Sequence, residues 1–222
     1  MVMDMDMAMD MDTVMAMAIM TIRNGLVQKD YSHVYSEENK VEITKLSIPG
    51  LVTIQPRIFG DDRGEFFETY NKQSFSSLVS EIDFVQDNQS ISKANVLRGL
   101  HFQAPPFAQG KLVRVIAGAV LDVAVDIRKG SPTYGKHEKV LLTGENNLMF
   151  YIPPGFAHGF VALEDNTIFH YKCTGFYNKA SEGCLLWNDP TLNIDWGTAN
   201  PLISPKDAEG EKIEGFHSPF SY

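Results

Sequence analysis

Cysteine is scarce in this chain. Cys173 and Cys184 are the only two. That is too few for a disulfide framework, and neither sits in a spacing that ligates zinc, so the expectation is two reduced thiols. Basic charge is short as well: 19 Lys and Arg stand against 28 Asp and Glu, a formal charge of −9. Such a surface repels nucleic acid and anionic lipid, which argues against both as partners. A phosphate ligand stays possible, because a local cluster of Arg and Lys is enough to hold one. No Gly-rich dinucleotide fingerprint occurs, so no nicotinamide cofactor is expected. Long apolar runs are missing too. The run from Val14 to Ile22 is too short to span a bilayer, and it follows Asp4, Asp6, Asp10 and Asp12 where a signal peptide would carry basic residues. Residues 1–40 are therefore read as an N-terminal extension, poorly ordered or non-native, with no assigned function. The expected location is the cytoplasm. Asn88-Gln89-Ser90 matches a glycosylation sequon but has no secretory context.

From Val41 onward the texture changes. Short apolar stretches recur, broken by Gly, Pro, Asn and Asp. Strands are expected over Glu42–Ile48, Val52–Gln55, Phe66–Tyr70, Lys111–Ala117, Val120–Ile127, Lys139–Thr143, Leu148–Ile152, Gly159–Leu163 and Thr167–Thr174. In Val120–Ile127 the period of two is explicit. Leu121, Val123, Val125 and Ile127 share one face, and Asp122, Ala124 and Asp126 share the other. One helix is expected, over Lys72–Glu81. Many short strands separated by turn residues predict an all-β domain over residues 41–222, an antiparallel jelly-roll barrel with a few short helices.

Several polar residues interrupt these apolar strands: His101, Lys111, Asp122, His170 and Tyr171. Buried polar groups are costly without partners, so a base, a cation, an acid and a phenol on neighbouring strands point to a polar pocket in the barrel mouth. His101 alone could be a satisfied core histidine or a general base, since an imidazole titrates near neutrality. Lys111 could be a snorkelling lysine or a buried cation able to hold an enolate oxygen.

Pro153-Pro154-Gly155-Phe156-Ala157-His158 contains P-x-G-x-x-H, the second signature of the cupin superfamily. Metal-binding cupins add an H-x-H pair and a Glu on an earlier strand. Here that strand reads Gly99-Leu100-His101-Phe102-Gln103, with Gln103 in place of the second histidine. Two histidines without a carboxylate make a poor divalent site, so no catalytic metal is expected.

Residues 43–210 resemble the dTDP-4-dehydrorhamnose 3,5-epimerase family. The resemblance rests on motifs that run in order through the core. They include Phe59-Gly60-Asp61-Asp62-Arg63-Gly64, Phe84-Val85-Gln86-Asp87-Asn88, Val96-Leu97-Arg98-Gly99-Leu100-His101, Gln109-Gly110-Lys111-Leu112-Val113-Arg114, Leu185-Leu186-Trp187-Asn188-Asp189 and Ser204-Pro205-Lys206-Asp207. Each is weak alone, and their joint order is specific. The resemblance implies a cupin-type jelly roll and a cofactor-free isomerase acting on a dTDP-4-keto-sugar in dTDP-L-rhamnose synthesis. It implies His101 as base, Asp207 as its orienting acid, Tyr171 as proton donor from the opposite face, and Lys111 near the C4 oxygen. It also implies nucleotide contacts by Arg63, Glu68, Gln86, Asn88, Arg98, His158, Glu182 and Lys206. Part of that set would come from the neighbouring subunit of a homodimer built by exchange of N-terminal strands.

The chemistry asks for the same residue types. A C4 ketone acidifies the C3 and C5 hydrogens, and removing one leaves an enolate whose charge must be stabilised where it develops. Inversion requires the proton to return on the other face, hence a second acid. Two positions depart from the family pattern. Phe176-Tyr177 stands where a Tyr-Tyr pair is frequent, and His170 precedes Tyr171 where an apolar residue is more usual. The His170 side chain is expected to point away from Tyr171, in a structural role. Other readings are an epimerase acting at one centre, a 3,4-ketoisomerase on a similar keto-sugar nucleotide, and a non-catalytic sugar-nucleotide-binding cupin.

Overall fold

A computed structural model describes residues 41–222. The reading of residues 1–40 as an extension lies outside the described residues. Among the described residues thirteen strands are present: β1 Glu42–Lys45, β2 Val52–Gln55, β3 Ile58–Asp61, β4 Gly64–Phe67, β5 Gln86–Ser92, β6 Leu97–Gln103, β7 Lys111–Ala117, β8 Ala119–Asp126, β9 His137–Thr143, β10 Met149–Ile152, β11 Phe156–Ala162, β12 Thr167–Cys173 and β13 Glu182–Cys184. Two short α-helices, α1 Lys72–Leu78 and α2 Pro205–Ala208, and a 3-10 turn at Lys179–Ser181 complete the set among the described residues. The named strands form an antiparallel six-stranded sheet, β1-β2-β10-β7-β12-β5, an antiparallel five-stranded sheet, β13-β6-β11-β8-β9, and a separate hairpin, β3-β4. This is the expected all-β jelly roll.

The two large sheets face each other across a core of Val113, Val115, Val120, Ala124, Leu142, Phe150, Phe156, Phe160 and Phe169. The alternation in β8 has an outcome that periodicity alone leaves open. Its apolar face, Leu121, Val123 and Val125, points away from the sandwich interior and is covered by Leu185, Leu192, Trp196, Ile213 and Phe220 from the C-terminal part of the chain. The face carrying Asp122 turns inward. Every residue of β8 is therefore buried. On the far side of the six-stranded sheet, Phe75 of α1 packs on Val52, Ile54, Leu112, Met149 and Tyr151.

Several boundaries differ from expectation: β1 stops at Lys45 rather than Ile48, and β11 begins at Phe156 rather than Gly159. The helix stops at Leu78 rather than Glu81, with Val79 as its C-cap. The strand expected at Phe66–Tyr70 lies earlier, as β4 Gly64–Phe67, because it pairs with β3 across a tight turn at Asp62-Arg63. The polar segment Gln86–Ser92 is a strand despite its composition. It alternates half-buried and exposed residues at the edge of the sheet and pairs with β12 over seven residues.

Strands β6 and β11 approach unusually closely. A Cβ on Gly99, whose φ is +136°, would fall 2.5 Å from the Gly159 Cα. Only glycine fits that contact. The register shifts at this point, between His158 and Phe160, and His158 pairs directly with His101.

Asp126 anchors the turn after β8. It accepts hydrogen bonds from Arg128 N, Nε and Nη2, Ser131 Oγ and Thr133 Oγ1. Burial pushes its carboxyl up, but these donors outweigh that and hold it down at about 2. An unfolded aspartate titrates near 3.9, so this group contributes stability above that pH and loses it as pH falls toward 2. The contribution is roughly 2 kcal/mol at neutral pH. Asp126→Asn should cost about 3 kcal/mol in urea denaturation and flatten the acid limb of the stability curve. A wild-type acid limb in that variant would contradict this account.

Candidate active site

The six-stranded sheet brings Gln86 and Asn88 on β5, Lys111 on β7 and Tyr171 on β12 toward the pocket. The five-stranded sheet brings Arg98 and His101 on β6, Asp122 on β8, His158 on β11, and Glu182 and Cys184 on β13. Lys206 and Asp207 come from α2, which begins at Ser204 as N-cap with Pro205 following.

His101 Nε2 lies 2.6 Å from Asp207 Oδ1. A carboxylate can only accept, so Nε2 carries the proton and Nδ1 is left with a lone pair. Asp207 is 3% exposed, and its backbone N–H donates to Ser204 Oγ. Burial raises the Asp207 carboxyl, while hydrogen bonds from His101, Ser204 and the Gly99 backbone lower it further, leaving it below the usual range. An ionised aspartate fixed on one imidazole nitrogen is the arrangement that sets a histidine tautomer and favours the imidazolium.

A second histidine pair lies alongside. His158 Nε2 is 3.0 Å from both oxygens of the fully buried Asp122, and its Nδ1 is 3.4 Å from Lys111 Nζ. Nε2–H therefore donates to Asp122, and Nδ1 accepts from the ammonium. Burial lowers the Lys111 pKa, and the Asp122 and Glu182 charges partly restore it. Burial also lowers the His158 pKa, as does Lys111, against Asp122. The imidazole thus bridges the Asp122 carboxylate and the Lys111 ammonium by hydrogen bonds without adding a second cation. Lys111 Nζ stands 6.0 Å from the centre of the Tyr171 ring. Burial raises the Tyr171 phenol, keeping it protonated, with Arg98 acting the other way.

At the rim, Glu182 is ion-paired with Lys206 and accepts from Tyr177 OH at 3.0 Å. Burial raises its carboxyl, and these two donors more than reverse that. Gln86 Nε2 donates to Asn88 Oδ1 at 3.0 Å, Asn88 pairs with Tyr171 across the strands, and Arg98 Nε donates to Ser92 Oγ at 3.4 Å.

His101, Lys111, Tyr171 and Asp207 are thus brought into one region with Gln86, Asn88, Arg98, His158, Glu182 and Lys206. Arg63 and Glu68 are not. Arg63 sits at the tip of the β3-β4 hairpin, paired with Asp61, and Glu68 follows β4 and accepts from Asn71. His158 is engaged with Asp122 and Lys111 rather than open to a nucleotide. His170 points away from Tyr171, as expected. It lines a cavity of about 200 Å³ on the outer face of the sheet with Thr69, Arg114 and Lys172. The alternation of β12 requires this, since Tyr171 faces inward. Phe176 is 66% exposed, and its carbonyl accepts from Gln103.

Sequence reasoning missed what Asp122 does and that Cys184 stands beside the dyad. Asp122 was visible as an acid in an apolar strand, but its partner lies on β11. Cys184 pairs across the strands with His101, a register that nothing local reveals.

The model of one family, dTDP-4-dehydrorhamnose 3,5-epimerase, matches residues 45–215. The chain belongs to that family. It is an isomerase. The dTDP-4-dehydrorhamnose 3,5-epimerase of Salmonella typhimurium is 52% identical over 174 residues, 78% of this chain and 95% of its own. That of Shigella flexneri is 50% identical over 174 residues, 78% and 96% of the two chains. A dTDP-6-deoxy-D-glucose-3,5-epimerase from Legionella pneumophila, solved with dTDP-4-keto-L-rhamnose, superposes with a TM-score of 0.76 at 46% identity. That alignment covers 79% of this chain and 94% of the other. Among the described residues, no helix is long and apolar enough to cross a membrane.

Proposed function

We propose that the epimerase converts dTDP-4-dehydro-6-deoxy-D-glucose to dTDP-4-dehydro-L-rhamnose with His101 as the base. The observation that carries this is the dyad, with Nε2 held by Asp207 and Nδ1 left as a free lone pair. His101 Nδ1 removes the proton at C3 or C5, giving an imidazolium that Asp207 stabilises. The C4 oxygen gains enolate charge beside Lys111. Tyr171, on the facing sheet, returns a proton to the opposite face of the ring. The diphosphate is held by Arg98 and Lys206, and the base by Gln86 and Asn88. Lys206 must leave Glu182 to do so. Neither redox chemistry nor a cofactor enters these steps.

Residues 41–222 form the catalytic domain in this reading, with residues 1–40 as an extension outside it. Arg63 and Glu68 serve the pocket of a second copy. Their hairpin forms no part of the two large sheets, and it exposes Phe59 and Phe66, with the Arg57 guanidinium 4.3 Å from the Phe59 ring centre. Exposed aromatics on a protruding hairpin are the pattern of a subunit contact. We assign the homodimer and its strand exchange on that basis, together with the family, and place the protein in the cytoplasm, where its two free thiols stay reduced.

The test is incubation with dTDP-4-keto-6-deoxyglucose in heavy water, followed by NMR. Deuterium at both C3 and C5 is expected. Incorporation at one centre would make this a single-site epimerase, and none would defeat the reading. Tyr171→Phe separates the two half-reactions. Net inversion should fall about 100-fold or more while proton removal, read as exchange, falls by less than about tenfold. Equal loss of both would remove Tyr171 from the opposite-face role.

A further inference from the structure

The dyad has a neighbour that the proposed mechanism does not use. Cys184 lies opposite His101 in the β13-β6 ladder, so both side chains emerge on the same face of the sheet. One ligand atom from each of His101, Cys184 and Asp207 lies within 4.8 Å of the others. The Cys184 thiol makes one long hydrogen bond, 3.4 Å to the Leu185 carbonyl. A nitrogen, a sulfur and a carboxylate oxygen converge here from β6, β13 and α2, segments far apart in sequence.

We propose that His101, Cys184 and Asp207 form a site for one thiophilic divalent cation, of the zinc or cadmium class, and that its occupancy switches the base off. The donor set is one that zinc accepts, with a fourth position left to water. Tetrahedral ligands at about 2.0–2.3 Å from zinc stand roughly 3.3–3.8 Å apart. The 2.6 Å contact between His101 and Asp207 must therefore open by about an ångström for both to ligate one ion. Thiolate and carboxylate together neutralise the dication, and the imidazole stays neutral, so no net charge is buried.

This site differs from the metal site of other cupins, which would draw on His158. Both nitrogens of that imidazole are occupied, by Asp122 and Lys111. The cation instead takes the side of His101 away from the substrate. The proton balance explains the inhibition. The thiol proton leaves to solvent as the S–metal bond forms. A metal on Nε2 displaces the proton there, and the neutral ring retains its one proton on Nδ1. The nitrogen that should accept a proton from the sugar has then become a donor.

Binding stands on this geometry alone, whereas inhibition rests on His101 being the base. The experiment keeps the two apart. Untagged protein is titrated with cadmium chloride while the ultraviolet thiolate-to-cadmium charge-transfer band is followed. In parallel, epimerase activity is measured in chelator-buffered zinc. One cadmium per chain is expected, with a band that disappears in Cys184→Ser and weakens in Asp207→Asn. Half-inhibition by zinc should need at least about tenfold more free metal in Cys184→Ser, whose metal-free activity matches wild type. Absence of a band in the wild type overturns the proposal, even if the serine variant fails to fold. A band that survives Cys184→Ser, or zinc inhibition unchanged by it, overturns it as well.

Discussion

His101→Ala should lose solvent exchange at C3 and C5 by about 1,000-fold or more, while dTDP binding changes by only a few-fold. The size of the effect follows from the scarcity of alternatives. His158 is the other imidazole in the pocket, and its lone pair is engaged by Lys111 while its N–H is held by Asp122. Glu182 is tied to Lys206 and Tyr177, which lower its proton affinity. Asp207 stands behind the ring rather than before the substrate, and is still held by Ser204 and the Gly99 backbone when the imidazole is removed. Tyr171 is held protonated by burial and is an acid at neutral pH. No remaining group combines a free lone pair with a position against the sugar. His101 is partly exposed on β6 and is not part of the core clusters, so the variant should fold. Circular dichroism and a dTDP titration check that. Exchange within tenfold of wild type would place the base elsewhere. An enzyme that still exchanged at one carbon only would mean that the two centres use different bases.

Much of this was legible before any coordinates, and the reasons are physical. Strands announce themselves by alternation, of apolar and polar residues in β8 and of buried and half-buried residues in much of β12. The polar residues that interrupted them marked the pocket, because a buried acid or lysine is kept only where it has partners. Asp122, Lys111 and Tyr171 were visible on that ground. What alternation could not supply was direction. The apolar face of β8 turned out to face the C-terminal cover and its polar face the pocket, since both sides of the strand are buried. β5 was missed because an edge strand facing solvent on one side needs little apolar content. The period of two set His170 apart from Tyr171 from the sequence alone, and the structure places it on the outer face. The contacts between strands were invisible: His158 with Asp122, and Cys184 with His101, depend on register across segments distant in sequence. Arg63 and Glu68 show a different gap. Their residue types suit a nucleotide, but Arg63 is paired with Asp61 at the hairpin tip and Glu68 accepts from Asn71, so neither joins the cluster around His101.

Lys111→Met should lower kcat by about 100- to 1,000-fold with little change in substrate affinity. The substitution keeps the length and most of the apolar contact of the lysine and removes only the charge. If Lys111 acts on the enolate, the loss appears in the transition state, where the C4 oxygen carries charge that the ketone lacks. If it merely grips the ground-state sugar, KM rises and kcat stays, and that split would sink the assignment. His158 Nδ1 loses its donor in the variant, a cost of about 1–3 kcal/mol in stability that leaves the barrel folded. Arginine is not a milder replacement, because a planar fork cannot occupy the place of a compact ammonium. The pH profile gives an independent reading. Burial lowers the Lys111 pKa, so the cation is lost at a lower pH than that of a free lysine. Activity should therefore decline on an alkaline limb placed below the ordinary lysine value of about 10.4. Asp122 supports the ammonium through the neutral His158, so Asp122→Asn should move that limb to still lower pH. The limb attributed to Lys111 should be missing from the residual activity of Lys111→Met. An alkaline limb unchanged in both variants would show that the enolate is stabilised by some other group.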